Sequence, residues 1–161
     1  MTIRTGIGID AHRFAPERPL ILGGVRIPHP LGLLGHSDAD VLVHALIDAL
    51  LGAAAAGDIG GWFPDRDPRY RNADSLELLR HVRARLGAEG WRIHNTDATV
   101  MAEAPHLAAH IEDMRRRMAD AMSLEIEQVS VKATTLEGMG ALGRGEGIAA
   151  QAIATLSREI A

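Results

Sequence analysis

The chain has 161 residues, the size of one compact domain around one hydrophobic core, and the whole span 1–161 reads as a single domain. A formal net charge of −4 with no dense basic stripe excludes nucleic acid as the main partner, because phosphate backbones are held by clustered Lys and Arg. There is no cysteine, which rules out a disulfide framework and a thiolate metal site and leaves His and carboxylates to hold any ion. Apolar residues make up 47% of the sequence but aromatics only 3%, so the core is built from Ala, Leu, Ile and Val, and such a small-residue core favours further burial by oligomerisation. The one basic run, Arg115-Arg116-Arg117, reads as a solvated helix face. Met1-Thr2-Ile3-Arg4 has no apolar signal core, and no run of about 18 apolar residues occurs that would span a bilayer, so a soluble, cytoplasmic protein is expected.

Ile3 to Ile9 alternates apolar residues with Gly, Thr and Arg, a first strand running into Asp10-Ala11-His12. Leu20 to Ile27 reads as a hairpin turned at Gly23-Gly24 and ended by Pro28, Pro30 and Gly32. From Asp40 to about Ala54 the apolar pattern predicts a helix buried on most sides, broken by one polar stripe of Asp40, His44 and Asp48. Gly57 to Asn72 lacks periodicity and is long for a connection, which predicts a functional loop. Asp74 caps a second helix ending near Gly87. Trp91 to Met101 predicts a strand, Pro105 opens a third helix through Met122, and Val129 to Ala133 is another strand. Gly138 to Gly147 holds five glycines in ten residues, and Ile148 to Ile160 suits a strand with a frayed end better than a helix. The predicted class is α+β: a two-layer sandwich with helices on one face of a mixed β-sheet.

Asp10 and His12, two apart on a strand, leave the same face and can converge on one ion. His44 on the polar stripe can complete an Asp-His-His tripod, three ligands that leave a fourth position open. The same residues also suit an aspartate that caps a turn and a histidine satisfied within a core. Gly35-His36-Ser37-Asp38-Ala39-Asp40 is ordinary helix-capping material, yet His36 and Ser37 at a helix start are also placed to donate to a phosphate. Gly57-Asp58-Ile59-Gly60 and Phe63-Pro64-Asp65 are turns or a closing loop. Ala133-Thr134-Thr135-Leu136-Glu137 and Gly143-Arg144-Gly145-Glu146-Gly147 join hydroxyls, carboxylates and an arginine to a backbone that a ligand can approach closely.

In this order and spacing, Asp10-Ala11-His12, Gly23-Gly24, Gly35 to Asp40, His44, Asp48 to Ala53, Gly57 to Gly60, Phe63-Pro64-Asp65, Lys132 to Thr135 and Gly143 to Gly147 resemble the 2-C-methyl-D-erythritol 2,4-cyclodiphosphate synthase family of the non-mevalonate isoprenoid pathway, nearly end to end. The resemblance implies a metal-dependent lyase that cyclises 4-diphosphocytidyl-2-C-methyl-D-erythritol 2-phosphate with release of CMP. It implies a zinc ion on Asp10, His12 and His44, and a Mg2+ or Mn2+ bridging the diphosphate with help from Glu137. Asp58, Thr135 and His36 take catalytic roles by resemblance. By the same resemblance, substrate contacts fall on His36, Ser37, Asp58, Ile59, Gly60, Phe63, Asp65, Glu137 and Arg144, with cytidine in a neighbouring subunit's pocket near Ala102, Pro105, His106, Leu107, Ala133, Thr134 and Thr135. The resemblance further implies active sites between the subunits of a homotrimer whose sheets surround the threefold axis. Three departures from the family pattern stand out: His106 for a frequent Lys, Leu136 for a frequent Thr, and Ala141 for a frequent Phe beside an axial cavity that can hold an isoprenoid diphosphate. With Ala141, isoprenoid binding there is not expected. Two other readings fit the same residues, a silent metal- and nucleotide-binding protein and a zinc phosphohydrolase using metal-bound water.

Overall fold

The computed structural model describes residues 1–159, so the frayed end expected at Ile160 lies outside them. The first strand, β1 (Thr2–Ala15), carries Asp10 and His12 within it. The hairpin forms as expected from β2 (Leu20–Leu22) and β3 (Val25–Ile27), with Gly23 and Gly24 at φ 58° and 73°, the left-handed values that a two-residue turn needs at both positions. A two-residue strand that no periodicity announces, β4 (Gly32–Leu33), pairs with the end of β1.

Helix α1 (Val41–Ala54) begins at Asp40, whose side chain caps it. Asp40 is fully buried and does more than cap: Oδ1 accepts from Val43 N at 3.1 Å and Gly23 N at 3.0 Å, and Oδ2 from Gly24 N at 2.7 Å. Burial and the neighbouring Asp38 push its carboxyl up to about 6, while the three N–H donors hold the charged form in place. One carboxylate thus fastens the hairpin turn to the helix start.

The 57–72 segment, expected from its composition as an aperiodic functional loop, contains short order of its own. It holds a one-turn helix, α2 (Ile59–Trp62), capped by Asp58, and a 3-10 turn at Pro68–Tyr70. Three of the chain's five aromatics sit here: Phe63 meets Tyr70 edge-on at 5.2 Å and His81 at 5.7 Å, and Trp62 lies over His81 at 6.2 Å. Helix α3 (Ser75–Ala88) follows, capped by Asp74 as predicted, and then strand β5 (Arg92–Met101).

The third long helix, α4 (Ile111–Met122), starts at Ile111 rather than at Pro105. Ala102 N–H donates to Thr134 O at 3.0 Å and Leu107 is buried, so the chain leaves β5 as a strap tied to its neighbour strand before it can coil. Within the basic run, Arg115 is not solvated: its guanidinium donates to Val129 O at 2.7 Å and Ile126 O at 3.0 Å, while Arg116 pairs with Glu112. Strand β6 (Val129–Thr134), the short helix α5 (Gly140–Gly143) and strand β7 (Gly147–Arg158) complete the order, so the Ala-rich C-terminal stretch is strand.

The five-stranded sheet has the order β4-β1-β7-β5-β6, antiparallel except for the β5–β6 pair, and is therefore mixed. Even-numbered residues of β1 face α1. At Gly6 a Cβ would lie 2.1 Å from Ala49 O, and at Gly8 1.9 Å from Ala45 O, so the helix backbone rests directly on the strand. Odd-numbered residues face away and leave Ile3, Ile7 and Ile9 exposed beside Ile153 of β7, with Ile7 and Ile153 directly paired. The Gly8→Ala variant forces α1 off the sheet or unfolds it; a loss of about 3 kcal/mol in urea denaturation is expected, at the upper end for overpacking. Stability within 0.5 kcal/mol of wild type, taken as roughly the error of such a comparison, would mean that this contact yields easily.

Candidate metal centre and substrate site

Asp10 and His12 continue the row of Gly6 and Gly8, and His44 descends from α1 onto the same face. The three side chains converge. Asp10 Oδ2 lies 3.1 Å from His12 Nε2 and 3.1 Å from His44 Nδ1, and one ligand atom from each residue falls within 4.8 Å of the others. With zinc–ligand bonds of about 2.0–2.2 Å, the ligand atoms of a tetrahedral site sit roughly 3.3 Å apart, so the carboxylate and two imidazoles present fit such an ion with little movement. Asp10 lies within β1 rather than capping a turn, and His44, though both its nitrogens find partners, joins Asp10 and His12 in a group that could hold a metal ion.

Burial works to raise the Asp10 carboxyl, but hydrogen bonds and charge from His12 and His44 outweigh it and hold the group well below the usual carboxylate range. The bond to Asp10 raises His12 in turn, against its partial burial. An anionic carboxylate between two histidines is a donor set that suits a divalent cation.

The other side of His44 is also occupied. Nε2 lies 2.8 Å from Ser75 Oγ and 3.2 Å from Ser37 Oγ. The third member of the polar stripe, Asp48, accepts from Ile59 N at 2.7 Å and anchors α2 beside the centre. Burial raises the Asp48 carboxyl.

A hollow of about 200 Å³ opens over the tripod and is lined by Asp10, His12, Gly35, His36, Ser37, His44, Ile59, Gly60, Phe63, Asp65, Tyr70 and Leu78. His36, Ser37, Ile59, Gly60, Phe63 and Asp65, each expected from the sequence, are brought together here. Asp58 stands outside the lining: it is exposed and its Oδ1 accepts from Gly61 N at 2.8 Å, capping α2. Arg18 supports the Gly35–Ser37 turn by donating to Gly35 O at 2.9 Å and Ser37 O at 2.5 Å. Tyr70, Leu78, Arg18 and Ser75 are additions that no motif singles out; Ser75 had a signal in its place beside the Asp74 cap.

Most of the remaining expected residues lie just beyond the ends of β5 and β6, with Arg144 at the end of α5. Ala102, Pro105, His106 and Leu107 leave β5 next to Ala133, Thr134 and Thr135 of β6 and its end, and Glu103 accepts from Leu136 N at 2.7 Å. Thr135 Oγ1 donates to Glu137 Oε1 at 3.0 Å, and Arg144 pairs with Glu146 at 2.8 Å. Three strand spacings separate β1 from β6, roughly 14 Å across the sheet, and Glu137 is not among the residues that converge with the tripod.

Fold and site together define an α+β domain with a candidate centre for a divalent metal, open toward a polar loop. A profile of the YgbB family matches residues 3–157, and the chain belongs to that family. Among curated proteins, the 2-C-methyl-D-erythritol 2,4-cyclodiphosphate synthase of Alkaliphilus oremlandii is 56% identical over 154 residues, covering 96% of this chain and 98% of that one. Among solved structures, the bifunctional IspDF of Campylobacter jejuni matches with a TM-score of 0.94 at 42% identity over 98% of this chain, which spans 43% of that longer one. The IspF of Plasmodium falciparum, solved as a CDP complex, matches with a TM-score of 0.85 at 30% identity, covering 98% and 97% of the two chains. The family resemblance carried by the motifs is thus established.

Removing one of three ligands leaves two, too few for tight zinc binding. Purified His44→Ala protein is expected to keep its fold by circular dichroism and to carry well under half the zinc of wild type by elemental analysis. Full zinc content in the variant would take His44 out of the centre.

Proposed function

We propose that the chain is a 2-C-methyl-D-erythritol 2,4-cyclodiphosphate synthase that cyclises 4-diphosphocytidyl-2-C-methyl-D-erythritol 2-phosphate with loss of CMP, working as a homotrimer in the cytoplasm. The observation that carries the reading is the convergence of Asp10, His12 and His44 under a hollow lined by His36, Ser37 and the α2 segment, in a chain whose relatives bear that name.

Asp10, His12 and His44 would hold a zinc ion, and Glu137 would help place a Mg2+ or Mn2+ that arrives with the diphosphate. Bound there, the cations act as Lewis acid and template for the phosphates. The substrate supplies its own nucleophile. An oxygen of the 2-phosphate forms a new bond to the β-phosphorus, the bond from that phosphorus to the bridging α-oxygen breaks, and CMP leaves with the electron pair. No side chain needs activation, so the protein's task is positioning and charge. His36 and Ser37 donate to phosphate oxygens at the start of α1. Asp58 orients the sugar alcohol hydroxyls, for which its Oδ2 is suited, since no described residue bonds that oxygen. The Thr135 hydroxyl, which donates to Glu137 in the free chain, would turn its proton to the transferring phosphoryl group once Glu137 holds a cation. Ile59, Gly60, Phe63 and Asp65 limit the entry of water, which would divert the reaction to hydrolysis.

The cytidine cluster at Ala102 to Leu107 and Ala133 to Thr135 lies apart from the hollow within one chain, and the exposed isoleucine face of β1 and β7 offers surface for a second copy to bury. Both features support a site completed between subunits, with Arg144 and Glu137 reaching it from the assembled partner side.

Phosphorus NMR of the purified protein with this substrate and Mg2+, with and without a zinc chelator, tests the reading. A cyclic diphosphate plus CMP, lost on chelation, is expected. A linear product with free phosphate would point to a hydrolase, and no turnover despite bound metal and cytidine nucleotide would point to a binding protein. In the same assay Asp58→Ala is expected to lose at least 100-fold in kcat, on the order of other lost positioning groups, while keeping assembly and metal. A wild-type rate would make Asp58 a helix cap only. Ile9→Lys is expected to run as a monomer by light scattering, still folded and able to bind zinc, but without turnover; an active monomer would overturn the interfacial site.

A further inference from the structure

His44 is held at both ring nitrogens, and the two contacts make different demands. In the chain without an ion the Asp10 carboxylate, 3.1 Å from Nδ1, accepts a proton held there; a metal ligand nitrogen must be bare, so when Nδ1 takes an ion the ring proton that remains must sit on Nε2. The partner of Nε2 therefore has to accept. Ser75 Oγ lies 2.8 Å away and is fully buried, and its hydroxyl in turn touches Asp38 Oδ1. Asp38 Oδ2 accepts from the backbone N–H of the same serine at 2.9 Å, which fixes the carboxylate against it.

An ionised carboxylate can only accept, so the hydroxyl proton of Ser75 goes to Asp38. What Oγ then turns toward His44 is a lone pair, and that lone pair is satisfied only by an N–H at Nε2. Ser37 does not impose this choice. Its Oγ already accepts from Ala39 N at 3.1 Å and keeps its own proton uncommitted, so at 3.2 Å it can donate to Nε2 or accept from it.

We propose that Asp38 and Ser75 are positioning residues for the metal centre, a buried relay that keeps a proton on Nε2 of His44, so that Nδ1 is the nitrogen left bare when an ion arrives. The inference rests on the reading of the tripod as a metal site. It gives a reason for a serine at the first position of α3 and for the first aspartate of the Ser37-Asp38-Ala39-Asp40 run. The second of those aspartates serves the hairpin instead. Partners of this kind commonly set metal affinity by 10–100-fold through tautomer and ring orientation.

The test compares wild type, Ser75→Ala and Asp38→Asn. Zinc affinity is measured by chelator competition, and the tautomer of His44 by long-range proton–nitrogen NMR of the metal-free protein at about pH 8, above the ordinary histidine range. Wild type is expected to keep a proton on Nε2. Ser75→Ala is expected to bind zinc roughly 10–100-fold more weakly and to lose proton occupancy at Nε2, since the Asp10 carboxylate at Nδ1 then has no buried acceptor competing with it. Asp38→Asn, which leaves the serine in place but frees its proton, is expected to move both readouts in the same direction by less. Thermal unfolding of the metal-free variants separates a lost relay from a lost fold, and a variant that fails to fold leaves the other to report. Zinc affinity within twofold of wild type in a folded variant, or an Nε2 without a proton in wild type, would overturn the relay while leaving the metal site standing. Failure of wild type itself to bind zinc would overturn the metal site and the relay with it.

Discussion

The direct seating of helix α1 on strand β1 is the constraint on which the site depends. Gly6 and Gly8 have no side chain because the carbonyls of Ala49 and Ala45 occupy the space where one would be. That approach brings two backbones to within contact of each other and lets His44 reach Asp10 at 3.1 Å without either side chain extending far from its element. A larger residue at either glycine would set the elements apart by the width of a methyl group or more, and three short ligands on two elements cannot follow such a shift. The alanine stripe Ala45, Ala49 and Ala53 on the facing side of the helix serves the same end. A core poor in aromatic residues is therefore tied to the centre: small residues are what allow ligands on two elements to meet.

The second level of order comes from a single segment, Gly35 to Asp40, that carries four polar roles in six residues. Arg18 holds its carbonyls, Ser37 touches His44, Asp38 fixes Ser75, and Asp40 binds the hairpin turn while capping α1. Apart from Arg18 Nε, which is buried and finds no partner among the described residues, these polar groups answer one another, which is how a polar cluster beside a core limits the penalty of unmet hydrogen bonds. Because α1, α3 and the hairpin all converge on this segment, the ligand His44 and the lining residues His36 and Ser37 inherit the rigidity of three elements. A loop alone would give no such precision.

Much of this was legible in the residues, and what was not has physical reasons. The hairpin turn at Gly23-Gly24, the cap at Asp74, the long α1 with its polar stripe and the Asp10/His12 pair all rest on local rules of spacing, and all appear in the structure. Pro105 misleads because proline suits a first helical turn but equally suits a strap, and the choice is made by the tie from Ala102 to Thr134, which is non-local. The order within 57–72 comes from aromatic packing on His81 and from Asp48 holding Ile59, again contacts between distant residues. Arg115 looks like one of three surface charges until the fold brings two carbonyls to it. Ser75 is the most instructive case. Its type and place suit a helix start, and only the arrival of His44 from another helix shows what else its hydroxyl does.

The distance between the two polar clusters bears on the proposed assembly. The tripod lies on β1 and the Thr135–Glu137 group at the end of β6, with β7 and β5 between them in the sheet. The sheet face away from the helices carries Ile3, Ile7, Ile9 and Ile153, bounded on the same face by the Asp97–Lys132 ion pair. Burial of one such isoleucine is worth about 1.5–3 kcal/mol, so the four together give an association of copies a substantial apolar drive, with the ion pair at its polar margin. A site that needs residues from two copies also couples turnover to assembly. Within one protomer the lining of the hollow over the tripod includes neither Glu137 nor Thr135, the residues proposed to serve a second cation and the phosphoryl group. The proposed assembly would bring those groups in only as the partner surface excludes solvent, which is the condition under which ring closure by the substrate's own phosphate outcompetes hydrolysis.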